Sequence, residues 1–162
     1  MTVKAAELEN MIRSAFPIYP IPDDFFRDNN LISTDIPSEL KNRLFSKKWS
    51  DVTLMDWRMT GAHIGSIITY MTPDAFRYYL PSLLIGSMHD PKYLDYSVQA
   101  LLPFNNEHLP KGRWWNSFFN GFDKIKKAAI QQFLLFAFET TVDGSSDRHL
   151  TELAIKTIWG LN

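Results

Sequence analysis

This 162-residue sequence predicts an all-α fold, a single compact domain of five or six helices around a buried helix at about 121–141. Three observations predict it. Apolar residues recur at three- and four-residue spacing in several segments, the period of a helix with one face inward. Helix-start signals precede those segments, a Ser, Thr, Asp or Asn followed by Pro or by an acid three residues on. And Phe133 to Phe138 is a hexapeptide without a polar residue, inside a longer segment with polar flanks, which reads as a helix buried on every side.

Taken in order, residues 3–16 carry Ala5, Leu8, Ile12 and Ala15 on one stripe, and Pro17, Pro20 and Pro22 end that helix. Residues 17–36 read as an irregular connection containing Asp23, Asp24 and Asp28. Pro37 suits the first position of a short helix to about Phe45. Thr53 with Asp56 has the form of a capping box and predicts a helix at 54–60. Gly61 and Gly65 flank an ambiguous segment in which Ile67, Ile68, Tyr70 and Met71 have strand-like composition but precede a helix cap too closely for a long strand. Thr72-Pro73-Asp74 starts a helix to about Met88. Pro81 lacks an N–H and crowds the Arg77 carbonyl, so a kink or break is expected between Arg77 and Pro81. Asp90-Pro91 repeats the start signal for a helix over 92–102. Residues 103–120 read as a loop anchored by Trp114-Trp115 and Phe118-Phe119. Asn120, with Asp123 at the reciprocal position, is expected to cap the 121–141 helix, and a last helix covers 148–159 before Gly160.

Composition narrows the function classes. Apolar residues are 45% of the chain and aromatics 14%, which places it among folded domains and apart from disordered chains. There is no cysteine, which excludes disulfides, thiolate catalysis and cysteine zinc sites. The N-terminus places glutamates where a signal peptide needs its apolar stretch, and no apolar run approaches the length of a membrane span, so the expected compartment is a cytoplasm. A net charge of −1 argues against a generic nucleic-acid partner. The charge is segregated all the same. Residues 1–40 hold seven acids against three bases, and the next eight hold Lys41, Arg43, Lys47 and Lys48 with no acid.

No motif names a reaction. His63, His89, His108 and His149 include no pair three or four apart, so no helical two-histidine metal site is written in the chain. The Asp23-Asp24…Asp28 cluster lacks calcium-loop spacing, and there is no nucleophile elbow and no phosphate-binding glycine loop. No catalytic residue, metal or cofactor is assigned. Basic residues interleave with aromatics at Lys47-Lys48-Trp49 and at Lys111, Arg113, Trp114 and Trp115, a pattern that single-strand binders use but that also describes a solvated face with anchoring rings.

Met71 to Pro81 resembles the motif Leu-Thr-Pro-Glu-Ala-Phe-Arg-Tyr-Tyr-Leu-Pro of a family of small uncharacterised bacterial proteins, with Asp74 in place of Glu. An early Ile12…Ala15-Phe16 segment before prolines, a late Phe122…Ala129-Ile130…Phe133-Leu134 helix and Trp159-Gly160 extend the similarity over most of the chain. The resemblance carries no established activity. It implies an immunity or accessory protein of bacterial conflict systems, with a toxin as protein partner. The expected function is therefore a non-enzymatic protein-binding domain that occludes a partner's active surface. Its candidate contact residues are Asp23, Asp24, Asp28, Arg77, Tyr78, Tyr79, Trp114 and Trp115, since acids steer a basic partner and Arg, Tyr and Trp anchor interfaces. The rival expectation is a small hydrolase or transferase in which two or more of the histidines meet Asp or Glu in one pocket.

Overall fold

A computed structural model describes residues 3–31 and 34–160. It is all-α, with nine α-helices among the described residues instead of five or six. They are α1 (Val3–Ala15), α2 (Asp35–Arg43), α3 (Leu54–Arg58), α4 (Ile64–Ile67), α5 (Pro73–His89), α6 (Leu94–Ala100), α7 (Arg113–Asn120), α8 (Lys124–Thr140) and α9 (Ser146–Leu153). The helices that the sequence does not announce are α4, too short for an amphipathic pattern to register, and α7. The aromatic pairs read as loop anchors are instead a helical stripe. Trp114 stacks on Phe118 with centroids 5.3 Å apart, and Trp115 on Phe119 at 6.1 Å, the four-residue neighbours of a helix face.

The central helix is α5, which corrects the expectation for 121–141. From Ala75 to Met88 every residue of α5 is buried except Arg77, Tyr78 and Gly86, and it packs against α1, α3, α6 and α7. The α8 helix is one-sided: Ala129, Ile130, Phe133, Leu134 and Ala137 are buried against α1, α6 and α9, whereas Leu135, Phe136 and Phe138 are half-exposed. The Arg148 guanidinium covers the outer ring of Phe138 at 4.0 Å, so an apolar residue on the outer face still finds a partner. What hid the central position of α5 in the sequence is its polar side chains. Ser82 and Ser87 return their hydroxyls to the carbonyls of Tyr79 and Leu84 within the helix, and Trp57 Nε1 donates to Ser82 Oγ at 2.8 Å. Ser97 of α6 donates to the Leu83 carbonyl at 2.8 Å. Satisfied in this way, they cost little to bury.

Helix starts agree with the capping chemistry more closely than with the expected boundaries. Thr53 and Asp56 form the capping box of α3, and Thr72 accepts from the Ala75 N–H at the start of α5. Pro37 is the third residue of α2, where its missing N–H is still one of the unpaired donors of the first turn. The cap of α8 is Asp123, accepting from the Lys126 N–H at 2.8 Å, and Asn120 instead closes α7. The α5 helix runs unbroken through Pro81, so of the kink or break expected between Arg77 and Pro81 the break does not occur. The C-terminal helix begins at Ser146 and widens into a π-turn over Ala154–Ile158. The Trp159 N–H reaches back five residues to the Ala154 carbonyl at 3.0 Å. That widening lets Ile158 and Trp159, adjacent in sequence, both be buried.

Candidate functional site

Two surface features emerge from this scaffold. The first is the arm from Pro17 to Asp28, irregular in backbone but tied to the helices along its length. Trp49 Nε1 donates to the Pro17 carbonyl at 3.2 Å, and the Tyr78 hydroxyl donates to the Ile18 carbonyl at 2.6 Å. Thr72 gives its hydroxyl to the Asp24 carbonyl at 2.7 Å and its N–H to the Phe25 carbonyl at 2.9 Å. The Arg27 N–H bonds the Tyr70 carbonyl at 2.9 Å beside an isolated antiparallel bridge between Phe26 and Met71. Phe25 and Phe26 plug the arm into the core, Phe25 lying 5.8 Å from the Tyr79 ring. Outside, the arm presents Tyr19, 62% exposed, together with Asp23, Asp24 and Asp28. None of the three acids is ion-paired among the described residues; Asp28 accepts from the Asn30 N–H in a local turn. Tyr19, Pro20 and Pro22 share a groove of about 390 Å³ with Arg77 and Tyr78.

The second feature is a cavity of about 310 Å³ between the ends of α4, α6 and α7. Its apolar lining includes Phe76, Phe104, Trp114 and Trp115, its polar lining Gln99 and Asn105, and its charged lining Arg27, Lys111 and Arg113. No acid lines it. The α4 helix forms part of the wall because Gly65 leaves room for the Phe104 ring: a Cβ there would lie 2.0 Å from it. The loop behind Phe104 is closed by Asn105, whose side chain both donates to the Leu109 carbonyl (2.8 Å) and accepts from the Leu109 N–H (2.9 Å).

The residues singled out from the sequence divide between these features and the core. Asp23, Asp24 and Asp28 are exposed on the arm. Tyr78 is half-buried and holds the arm, its hydroxyl also accepting from the Trp49 N–H at 3.2 Å; burial raises its phenol above the usual range. Arg77 binds the end of α7, donating to the carbonyls of Ser117 (3.0 Å) and Phe118 (3.2 Å) while pairing with Asp74. Tyr79 is fully buried, its hydroxyl set between the Leu44 and Lys47 carbonyls at 2.7 Å each, and burial drives its phenol up. It offers no surface to a partner, and neither does Trp115, which is buried against Phe118. Trp114 is half-buried at the cavity, its Nε1 donating to the Met71 carbonyl at 2.9 Å.

The histidines do not converge. His63 caps α4, accepting from the Gly65 N–H at 3.2 Å. His108 Nδ1 lies 3.0 Å from the Pro103 carbonyl, and His149 is exposed on α9. His89 Nε2 sits 2.9 Å from Glu9 Oε2, the single histidine–carboxylate pair among the described residues, with the histidine side chain 54% exposed. Burial works to raise the Glu9 carboxyl, but the bonds from Arg13 and His89 outweigh it and hold it below the usual range. Elsewhere burial raises Asp95, and it pushes Tyr96 up to about 12. Among the described residues no group of three or more His, Asp or Glu is placed to hold a metal, and no helix is long and apolar enough to cross a membrane.

No protein-family model, curated protein or solved structure matches the chain. The cavity's basic and aromatic residues were partly legible in the sequence, as Lys111, Arg113, Trp114 and Trp115. Arg27 was not, because 84 residues separate it from Lys111 and no local pattern marks the bridge that brings it there.

Proposed function

We propose that this chain is a non-enzymatic protein-binding domain that docks a basic partner through the arm from Pro17 to Asp28, and that it covers the partner's active surface as an immunity protein covers a toxin. One observation carries the reading: three acids without ion-pair partners among the described residues and an exposed tyrosine stand on a segment whose backbone is fastened to the core. A fastened segment loses little conformational entropy on binding. Unpaired acids steer a cationic surface toward it, and Tyr19 supplies a rigid anchor of the type that dominates interface energetics. The bacterial family that the motif at Met71–Pro81 resembles points the same way.

Capture from the native host, or co-expression with the adjacent gene product, tests the proposal. A basic protein recovered in stoichiometric amount is the expected result. Replacing Asp23 and Asp24 together by lysine then weakens the complex at least about tenfold, mostly through slower association, and steepens no other property. Recovery of no stoichiometric partner, or a complex indifferent to the double substitution and to Tyr19→Ala, would sink the reading.

A further inference from the structure

We infer that the cavity between α4, α6 and α7 binds a small planar anion, a flat ring carrying a carboxylate or a phosphate. This goes beyond the protein-binding reading and rests on different residues.

Charge comes first. Of the seven arginines, Arg13, Arg43, Arg77 and Arg148 pair with acids and Arg58 lies 4.1 Å from the Tyr93 ring centroid. Arg27 and Arg113 have neither kind of partner among the described residues, and both line this cavity together with Lys111, which is also without an acid. Three cations around one concavity repel one another, and a bound anion relieves that repulsion. Arg27 is held in place by donating to the Ile68 carbonyl at 3.2 Å, which leaves the rest of its fork of donors for a carboxylate or phosphate. Part of the wall is the first turn of α7, from Gly112 to Trp115, a turn with no side-chain cap. Its unpaired N–H groups and positive helix end add to the same field.

The apolar half of the cavity selects a ring. Phe104 is 55% exposed yet is fixed in position by its close approach to Gly65. Trp114 is fixed by its bond to Met71 and by stacking on Phe118. Preset aromatic faces beside cations favour a flat ligand over a flexible one. At about 310 Å³ the space lies at the lower end of ligand cavities. It suits a single small molecule and not a nucleic-acid strand, which needs an extended track. Gln99, whose amide makes no hydrogen bond among the described residues, is available to orient the ligand.

The test uses the full chain, with tryptophan fluorescence and calorimetry as readouts. The probes are indole-3-acetate for a ring carboxylate and adenosine monophosphate for a ring phosphate. Indole, adenosine, inorganic phosphate and a short oligothymidylate serve as comparisons. At least one ring anion is expected to bind with Kd below about 1 mM. Its uncharged counterpart should bind at least about tenfold more weakly. Lys111→Ala with Arg113→Ala should weaken the ring anion by at least about tenfold with an unchanged circular dichroism spectrum, since both residues are exposed. Arg27→Gln repeats the measurement from a different segment. The inference is overturned if neither ring anion binds, if the uncharged rings bind equally well, if both charge-removing variants bind as the parent does, or if the oligonucleotide outcompetes both ring anions.

Discussion

Arg77 was legible in the sequence as an unusual residue but not as what the structure makes of it. Its guanidinium lies against the end of a helix forty residues away, donating to the last carbonyls of α7 and pairing with Asp74. A cation there meets both the unpaired carbonyls and the negative end of the helix. The guanidinium also occupies the space a side chain at Gly121 would need: a Cβ there would lie 2.1 Å from Arg77 Cζ. Arg77→Ala is therefore expected to cost about 2–3 kcal/mol in urea unfolding, the worth of charge-assisted bonds whose partners are left behind. Arg77→Lys should recover only part of it, because one ammonium cannot span two carbonyls and a carboxylate. Gly121→Ala should destabilise the parent chain and cost distinctly less in the Arg77→Ala background. Additive losses in that double-mutant cycle would show that the two residues do not meet. Nothing local announces such a pairing, since a sequence reports neighbours on one helix and not the carbonyl that another helix brings up.

At the scale of elements, the helix-start chemistry was the most readable signal and total apolarity the least. Thr53, Asp56, Thr72 and Pro73 sit in the structure as their capping roles require, because a cap is settled within four residues. The choice of central helix depended on long-range burial, and there the hexapeptide Phe133 to Phe138 misled. A residue count treats all six as inward, yet α1, α6 and α9 cover only one side of α8. In α5 the reverse holds: serines that look polar in sequence spend their hydrogen bonds inside the helix and leave it free to be surrounded. The structure therefore separates two substitutions that the sequence treats alike. Phe133→Ala, at a fully buried position, should cost about 3–5 kcal/mol. Phe136→Ala, half-exposed on the outer side of α8, should cost about 1–2 kcal/mol. Equal losses in chemical denaturation would mean that α8 is enclosed after all.

For the molecule as a whole, charge placement matters more than the near-zero total. The acids of the arm stand in a segregated acidic run, and Lys111 and Arg113 stand beside Trp114 and Trp115, but Arg27 lies inside the acidic segment, and which of these charges lack an ion-pair partner among the described residues followed only once the helices were assembled. The same assembly sets one buried-side acid between elements. Glu9 on α1 accepts from Arg13 at 2.8 Å and faces His89 at the end of α5 at 2.9 Å, so it joins the N-terminal helix to the central one. These partners hold its carboxyl below the ordinary value of 4.5 in the folded chain. A carboxyl depressed in the folded state binds its proton more readily once unfolded. Its stabilisation is then fully present above pH 4.5 and is lost as the pH falls through the folded value. Urea midpoints measured from about pH 7 down to about pH 3 should therefore decline on the acid side. Glu9→Gln should lower the midpoint near neutrality and flatten part of that decline, because the amide keeps the shape and loses the titration. An acid limb of unchanged slope in Glu9→Gln would show that the tie between α1 and α5 contributes nothing through its charge.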